Sequence, residues 1–559
     1  MTDVNQLITQ HIDIWTAAVE KKSSAGRGSG RGISLHGIKK LRELILELAV
    51  RGKLVSQNSS ENTASTLLLE CSRLKKQGLD EKRYKKQNLG EPLQKVEQPF
   101  DVHNSWQWVR LGELGFIFNG NSVNSREKAE KFGNREGLPF IATKNVGYGF
   151  EALDYEVDAW IPKGTPKFKI APANTPLICS EGGSAGKKCG VTDRDICFGN
   201  KLFACAFYGE FVPEYLLAWY QCPSFFSQFS ERMTGIIGGI SLAKFLRLPV
   251  PVPPVQEQRR IVTKLKELMA LCDALERQAE DSIYAHQTLV ENCLSKLKNS
   301  QTSEDSNLNW ARLDTNFDTL FTTDESLSSL DATIVELAIE GLLLKNMIAD
   351  DGQSGRQATA RNWKRFPLTE LLEFGPKNGL SPKAADYETE IKVLTLTATT
   401  SGEFKKDAFK YVDIDRPDDN SEVWLKKGDI LIQRANALQY VGVSALYDGP
   451  DNAFIYPDLM IKIRPSNKVI PEFLLLALQS QTTRKFFREN ASGTSGSMPK
   501  INQGVLRRLQ ISLPSIEDQR LIVAYVGKFR EVCRQLKRNI HTSSKINIEL
   551  SDILTSKIH

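Results

Sequence analysis

The sequence Val255-Gln256-Glu257-Gln258-Arg259-Arg260-Ile261-Val262 opens a stretch, residues 255–297, that decides how this chain is organised. Four prolines between residues 249 and 254 precede it, and because proline breaks a helix interior, a helix starts only after them. From Ile261 onward, apolar residues alternate at steps of four and three: Ile261, Leu265, Leu268, Cys272, Leu275 and Ala279. This spacing predicts the seam of a coiled coil.

The same helix occurs again 261 residues later, after Pro514. Its first residues, Ile516-Glu517-Asp518-Gln519-Arg520, resemble those of the first copy, and its equivalent seam positions are Ile522, Val526, Phe529, Cys533, Leu536 and Ile540. Three more segments are paired along the chain: Trp-led openings at 106–114 and 363–371, Pro-Glu-aromatic-Leu-Leu at 213–217 and 471–475, and Glu-Leu-Ala-x-x-Gly at 47–52 and 336–341. The chain therefore contains an internal duplication.

Length and composition describe an ordinary globular protein. At 559 residues, three or four domains are expected, and 41% hydrophobic and 25% charged residues are typical values. We find neither an apolar run long enough to cross a membrane nor a signal peptide, and expect a cytoplasmic protein with no membrane partner. A net charge of +6 is compatible with nucleic-acid binding.

The nine cysteines form no Cys-x-x-Cys pair, which favours buried free thiols. A metal site among the cysteines from Cys179 to Cys205 is the alternative. Their spacing suits strand positions better and no histidine is near, so we expect no metal.

The predicted fold class is α+β and multidomain: two α/β-rich globules separated by long antiparallel coiled-coil helices, as a pseudo-two-fold internal repeat. Short β-rich runs such as 139–146 and 392–399, broken by Gly, Pro and Asn, lie within the globules. The predicted boundaries are an N-terminal helix and flexible Gly/Ser/Arg linker at 1–34, a helical region at 35–100, a first globule at 101–254, a central helical region at 255–360, a second globule at 361–514 and a C-terminal helix at 515–559.

The order and doubling of these motifs resemble the specificity (S) subunits of type I DNA restriction–modification enzymes, over almost the whole chain from about residue 35. In that family each globule is a target recognition domain that reads one half of a bipartite, asymmetric DNA site. The resemblance implies double-stranded DNA, two modification (methyltransferase) subunits and restriction (helicase-nuclease) subunits as partners. It also implies that S-adenosylmethionine, ATP and Mg²⁺ bind those subunits, which methylate adenine and cleave DNA, and that this chain binds no cofactor.

The residues agree with a chain that has no catalytic site. The base-binding motif of an amino-methyltransferase needs a polar residue before Pro-Pro and an aromatic after it, but Pro253-Pro254 lies between Val252 and Val255. The run from Glu181 to Lys188 lacks the first Gly and the final Ser/Thr of a phosphate loop. All six histidines fall outside the cores of the two globules, which leaves those cores without a histidine base.

DNA contacts are expected from globule loops, because phosphates need cations or N–H groups and base edges need forked donors. In the first globule the candidates are Lys144, Asn145, Ser184, Lys187, Lys188, Ser241 and Lys244. In the second they are Thr397, Thr399, Arg434, Asn436, Gln439, Tyr440, Ser497, Lys500 and Asn502. For each residue the alternative is a solvated surface position.

Two questions stay open at the level of sequence. The modification subunits dock either on exposed faces of the long helices or on residues 1–20. The alternative function is a non-enzymatic coiled-coil adaptor that holds two protein- or glycan-binding domains, which DNA binding with partner subunits distinguishes from a specificity subunit.

Overall fold

A computed structural model describes residues 8–21, 33–58, 60–133, 136–235, 238–300, 302–343, 363–493 and 498–556. The chain divides into two compact units: unit 1 is Met1–Ser282 with Ser543–His559, and unit 2 is Ile283–Thr542. Among the described residues, no helix is long and apolar enough to cross a membrane. Most of the predicted linker, residues 22–32, lies outside the described ranges.

The first globule and the helices before it form most of unit 1. The helices are α1 (Ile12–Ala17), α2 (His36–Val50), α3 (Ala64–Asp80), α4 (Leu111–Leu114), α5 (Ser125–Lys131), α6 (Pro213–Gln221), α7 (Pro223–Glu231) and α8 (Leu242–Leu246). The strands are β1 (Glu20–Lys21), β2 (Ile33–Ser34), β3 (Gln107–Arg110), β4 (Gly115–Asn119), β5 (Leu138–Ile141), β6 (Trp160–Ile161), β7 (Ile170–Ala171), β8 (Pro176–Cys179), β9 (Cys189–Val191), β10 (Ile196–Phe198), β11 (Leu202–Phe207) and β12 (Pro249–Val252).

Two long helices each contribute to both units. Helix α9 (Val255–Lys298) gives residues 255–282 to unit 1, and α16 (Ile516–Ser556) gives residues 516–542 to unit 2. The other helices of unit 2 are α10 (Ser303–Thr315), α11 (Phe317–Leu320), α12 (Asp324–Ile339), α13 (Pro471–Gln479), α14 (Gln481–Glu489) and α15 (Gln503–Arg508). Its strands are β13 (Lys364–Pro367), β14 (Leu372–Asn378), β15 (Ile391–Leu394), β16 (Phe409–Val412), β17 (Ile430–Gln433), β18 (Ser444–Leu446), β19 (Met460–Pro465) and β20 (Gln510–Leu513).

Each globule contains its own four-stranded antiparallel sheet, and the strand order is equivalent in the two. The order is β4-β11-β8-β9 in unit 1 and β14-β19-β17-β18 in unit 2. In each globule the first strand also pairs antiparallel with the last, β3 with β12 and β13 with β20, which closes the domain. The second sheet differs: it has four strands in unit 1, β6-β5-β10-β7, whereas in unit 2 β15 pairs with β16 and forms a parallel bridge to Ile455. The two copies therefore have the same four-stranded sheet and differ in the strands around it.

Both copies of Glu-Leu-Ala-x-x-Gly end a helix. Gly52 and Gly341 have φ of +69° and +74°, a region that residues with a Cβ rarely adopt. The next residue in each case, Lys53 or Leu342, donates its N–H at 2.9 Å to a carbonyl five residues back. This is the hydrogen bond of a Schellman ending, which explains the glycine in both copies. Within the helical region predicted at 35–100, helix α2 therefore ends at Val50.

The glutamine in the duplicated Glu-Gln-Arg and Asp-Gln-Arg motifs ties each long helix to its globule. Gln258 is fully buried, accepts from the Val212 N–H at 2.9 Å and donates to the Pro253 carbonyl. Gln519, also fully buried, accepts from the Ile470 N–H at 2.8 Å and donates to the Pro514 carbonyl. A glutamine supplies both the donor and the acceptor that these buried backbone groups need.

The predicted seams are apolar and largely buried. In α9 the seam positions from Ile261 to Leu275 are buried, and Ala279 is half-buried. In α16, Ile522, Val526 and Cys533 belong to the hydrophobic core of unit 2, and the other seam positions pack partly buried against it. The cysteines are free and, apart from the half-buried Cys293, buried, as predicted.

Candidate nucleic-acid interface

In the second globule, three segments that are distant in sequence are hydrogen-bonded together. They are the threonine turn (residues 395–400) after β15, the Arg434 loop (residues 434–441) after β17, and the exit loop, of which residues 498–502 are described. The Asn436 N–H donates to the Pro499 carbonyl at 3.3 Å, and the Ile501 N–H donates to the Arg434 carbonyl at 2.9 Å. The side chain of Gln433 reaches the threonine turn, with its Nε2 3.0 Å from the Leu396 carbonyl oxygen.

Helix α14 supports the Arg434 loop. The guanidinium of Arg484 donates to the carbonyls of Val441 at 2.5 Å and Gln439 at 2.8 Å. Burial, together with the neighbouring Arg488, lowers the pKa of Arg484 to about 10, so it remains charged at neutral pH. Arg434 itself is partly exposed and donates to the Asp458 carbonyl at 3.1 Å. The loop is therefore held in place, with cationic groups on it and beside it.

The first globule brings together the equivalent three segments. They are the turn at 143–145 after β5, the Ser184 loop (residues 180–188) after β8, and the part of the first exit loop that directly precedes α8, residues 238–241. The Gly182 N–H donates to the Gly238 carbonyl at 2.8 Å, and the Ile240 N–H donates to the Ser180 carbonyl at 2.9 Å. Lys188 Nζ donates to the Thr143 carbonyl at 3.3 Å. In each globule, three polar loop segments thus lie together beside the four-stranded sheet.

The two loop clusters differ in chemistry. The first contains Lys187 and Lys188, whose Nζ atoms lie 5.7 Å and 5.0 Å from the ring centroids of Phe226 and Tyr148, and the glycines Gly182 and Gly183. The second contains arginine, asparagine, glutamine and threonine, with one lysine, Lys500, on the described part of its exit loop. Lysines and glycine N–H groups suit phosphates, whereas forked amides and guanidinium groups suit base edges.

Comparisons with known proteins find the same duplication. The family described as "Type I restriction modification DNA specificity domain" matches the chain twice, at residues 103–285 and 360–543. The chain is 32% identical to the type I restriction enzyme EcoEI specificity subunit of Escherichia coli and 30% identical to the EcoAI specificity subunit of the same species, in each case over 99% of both chains. The chain belongs to the family of type I restriction enzyme specificity subunits.

The fold agrees with this family. A solved structure described as "Structural basis underlying complex assembly and conformational transition of the type I R-M system" matches with a TM-score of 0.51 at 14% identity, covering 82% of this chain and 99% of that one. The resemblance inferred from the duplicated motifs is therefore confirmed. The alternative of a protein- or glycan-binding adaptor has no support in these comparisons.

Within this specificity subunit, some predicted DNA-binding residues are exposed on the loop clusters. Lys187, Thr397, Gln439 and Lys500 are exposed, and Ser184, Lys188, Arg434, Asn436 and Tyr440 are half-buried. Lys144 is exposed and forms an ion pair with Asp158. Ser497 lies outside the described residues.

Other predicted residues have a structural task at the same place. Asn145 is 3% exposed, and its Oδ1 accepts from the Ala142 N–H of its own turn. Thr399 is fully buried beside Gln433. Ser241 and Asn502, at equivalent positions, cap the N-termini of α8 and α15, and Lys244 Nζ donates to the Arg232 carbonyl at 3.3 Å. These five support the loops, and Ser241, Lys244 and Asn502 also keep exposed surface.

Sequence reasoning missed Gln433 and Arg484. The signal for Gln433 was present, because a glutamine ends the otherwise apolar strand Ile430-Leu431-Ile432 and is therefore a polar group in a buried position. Arg484 carried no such signal, since a helical arginine is ordinarily solvated.

Proposed function

We propose that the two globules are target recognition domains, at 101–254 and 361–514, and that each reads one half of a bipartite, asymmetric DNA site. The observation that carries this proposal is the pair of loop clusters, built on the same sheet order but from different residues. Equivalent scaffolds place the clusters at equivalent positions in the two domains, and unlike loops give each domain its own preference.

The chain acts, in this proposal, by directing other subunits. Two modification subunits bind S-adenosylmethionine and methylate adenine at the site, and restriction subunits use ATP and Mg²⁺ to translocate and cleave DNA. The specificity subunit contributes double-stranded DNA binding and performs no catalytic step. The helical regions at 35–100, 255–360 and 515–559 separate the recognition domains. In these regions the long helices pair through their heptad positions as an antiparallel coiled coil. Exposed helix faces and the N-terminal segment are the docking surfaces for the modification subunits.

The test is methylation by the reconstituted complex. The chain co-purified with its modification subunits is incubated with S-adenosylmethionine and a duplex library in which both half-sites are randomised. We expect methylated adenines only in duplexes that share two short, unlike sequences at a constant separation. The chain alone is the control, and methyl transfer by it would contradict the non-catalytic role. Methylation without sequence preference would contradict the recognition role.

A further inference from the structure

A buried amide lies directly beneath the Arg434 loop. Gln433 is fully buried at the end of β17, and its Nε2 is within hydrogen-bond distance of three acceptors on the threonine turn: the Leu396 carbonyl at 3.0 Å and the hydroxyls of Thr399 and Thr400 at 3.1 Å each. Its Oε1 accepts from Nδ2 of Asn436 at 2.7 Å. Asn436 is half-buried, and its Oδ1 accepts from the Ala437 N–H at 2.7 Å.

The direction of this hydrogen-bond chain is fixed at both ends by backbone groups. The Leu396 carbonyl can only accept, so the amide group of Gln433 that faces it must be its NH₂. The Ala437 N–H can only donate, so the atom of Asn436 beside it must be its oxygen. Turning either amide over would place two acceptors, or two donors, against each other. The orientation of the Asn436 amide is therefore determined by the fold.

The loop backbone around Asn436 is also held. The Asn436 N–H donates to Pro499 of the exit loop, and Ala435 forms a bridge to Lys500. After its two hydrogen bonds, the Asn436 side chain retains one N–H and one oxygen lone pair. A neighbouring donor and acceptor in a fixed order match adenine in the major groove, which presents N7 as an acceptor and N6 as a donor. Guanine presents two acceptors there and cytosine a single donor, so neither matches.

We propose that Asn436 reads an adenine in the half-site bound by the second globule, and that the buried Gln433 is a positioning residue that orients the Asn436 amide for this contact. The inference rests on the proposed function and adds the base and the two residues that select it. It applies to the second globule, because the position equivalent to Gln433 in the first is Cys179. A buried thiol there cannot fix the direction of an amide as Gln433 does.

The experiment compares variants of the whole complex. The chain and its modification subunits methylate a duplex library in which each position of both half-sites carries all four bases in turn. The variants are Asn436→Ala, Asn436→Asp and Gln433→Met, which approximates the shape of glutamine but has no amide. Asn420→Asp is the matched control, an exposed asparagine of the same globule. Thermal unfolding checks that each variant is folded.

We expect the wild type to prefer adenine at one position of one half-site, by roughly 5- to 150-fold over other bases, the range for a bidentate base contact. Asn436→Ala and Asn436→Asp should lose that preference at that position alone, because neither can donate to N7. Gln433→Met should weaken the same preference, while Asn420→Asp retains it. A purely structural role would lower methylation of all duplexes together and leave the ratio between bases unchanged.

Each outcome decides the inference. If the wild-type complex shows no sequence preference, the proposed function itself fails. If it reads a split site but Asn436→Asp retains every preference, the reading role of Asn436 is overturned and the proposed function stands. If Asn436 variants lose the adenine preference and folded Gln433→Met does not, Gln433 has no positioning role. If Gln433→Met does not fold, the two Asn436 variants decide the base contact, and Gln433→Leu tests positioning, because its side chain cannot accept from Nδ2 of Asn436.

Discussion

Asp331 accepts two hydrogen bonds from the guanidinium of Arg530, at 3.0 and 3.3 Å, which joins helix α12 to the long helix α16 in unit 2. Nearby, Lys537 of α16 donates to Ser328 of α12 at 2.9 Å. The short helix is thus acidic and the long helix basic along this contact.

Unit 1 has the opposite arrangement. The residue equivalent to Asp331, 289 positions earlier, is Arg42 of α2, which pairs with Asp273 at 2.7 Å and Glu276 at 2.6 Å on α9. The residues of α16 equivalent to these two acids are Arg534 and Lys537. The short helix α2 is therefore basic where it contacts acidic residues of α9, and α12 is acidic where it contacts basic residues of α16. Exchanging the two long helices would bring like charges together. Opposed charges of this kind select between partners that a duplication has made similar.

The first prediction is that Arg42→Glu destabilises unit 1 and is rescued by reversing its partners. The change replaces two partly exposed ion pairs with repulsion, so the free energy of unfolding should fall by about 1–2 kcal/mol. Asp273→Lys with Glu276→Lys, added to Arg42→Glu, should recover most of the loss. Urea unfolding measures both, with Arg73→Glu on the exposed face of α3 as control. A triple variant no more stable than Arg42→Glu would show that the charges do not pair as described.

The second prediction concerns two equivalent buried carboxylates. Glu47 is 1% exposed and accepts from the N–H and hydroxyl of Ser224 at 2.7 and 2.9 Å, at the start of α7. Glu336 accepts from the same two groups of Thr482 at the start of α14. Because these charge-assisted bonds cap a helix in a buried place, Glu47→Ala and Glu336→Ala should each lower the free energy of unfolding by about 2–3 kcal/mol. Glu43→Ala, on a more exposed part of α2, is the control, and an effect there as large as in Glu47→Ala would contradict a special role for the caps.

The third prediction is a pH dependence from a lysine in the second globule. Lys462 is 1% exposed, with Nζ donating to the carbonyls of Glu422 at 2.6 Å and Trp424 at 2.7 Å, and burial lowers its pKa to about 8. Between about pH 8 and its ordinary pKa of 10.5, the unfolded chain binds more protons at this residue than the folded chain does. This lysine therefore destabilises the fold below pH 8, and its penalty is relieved as pH rises through that window.

The measurement is the free energy of unfolding from pH 7 to 10.5 for wild type and Lys462→Met. We expect the wild type to gain on the order of 2–3 kcal/mol relative to the variant across this range. Lys427→Met, at an exposed lysine of the same globule, should behave like the wild type. A constant difference between wild type and Lys462→Met would show that Lys462 has an ordinary pKa.

Local signals were enough to predict the repeated elements. The heptad positions from Ile261 to Leu275 and the domain-opening tryptophans depend on neighbouring residues, and the structure buries the first and places the second at the opening strand of the first globule. The ends of individual helices and strands differ from the prediction where contacts with distant residues determine them. The β-rich run predicted at 392–399, for example, is a strand that ends in a turn.

The site was harder to predict, because its residues are joined by contacts across the chain. Sequence suggested Asn145, Thr399 and Asn502 as DNA contacts, and in the structure their side chains form hydrogen bonds that hold the loops. A single sequence cannot distinguish a polar side chain that faces DNA from one that holds a loop, since both need the same residue types. The sequence marks Gln433 as a polar group that ends an apolar strand, but it does not reveal its partners on the threonine turn, which are more than thirty residues away.

The fourth prediction separates phosphate contacts from base contacts. Lys187 is exposed on the Ser184 loop and is expected to contact a phosphate. Lys187→Ala should weaken DNA binding equally for all sequences and reduce the slope of log affinity against log salt by about 1, because one fewer counterion is released. The reference variant is Lys266→Ala on α9, which carries the same charge change. An altered base preference in Lys187→Ala would instead indicate a base contact.

The last prediction is that the two recognition domains act independently. Arg434 lies on the loop cluster of the second globule, with one N–H bonded to the Asp458 carbonyl and 25% of its side chain exposed. If it contacts a base, Arg434→Ala should reduce discrimination at one position of one half-site by about 1–3 kcal/mol and leave the other half-site unchanged. Arg416→Ala, an exposed arginine of the same globule that pairs with Glu390, controls for the loss of charge. Methylome sequencing of cells that carry each variant with its modification subunits gives both half-sites in one measurement. Relaxation of both halves together in Arg434→Ala would mean that the domains are coupled, and the modular assignment of one half-site to each globule would be wrong.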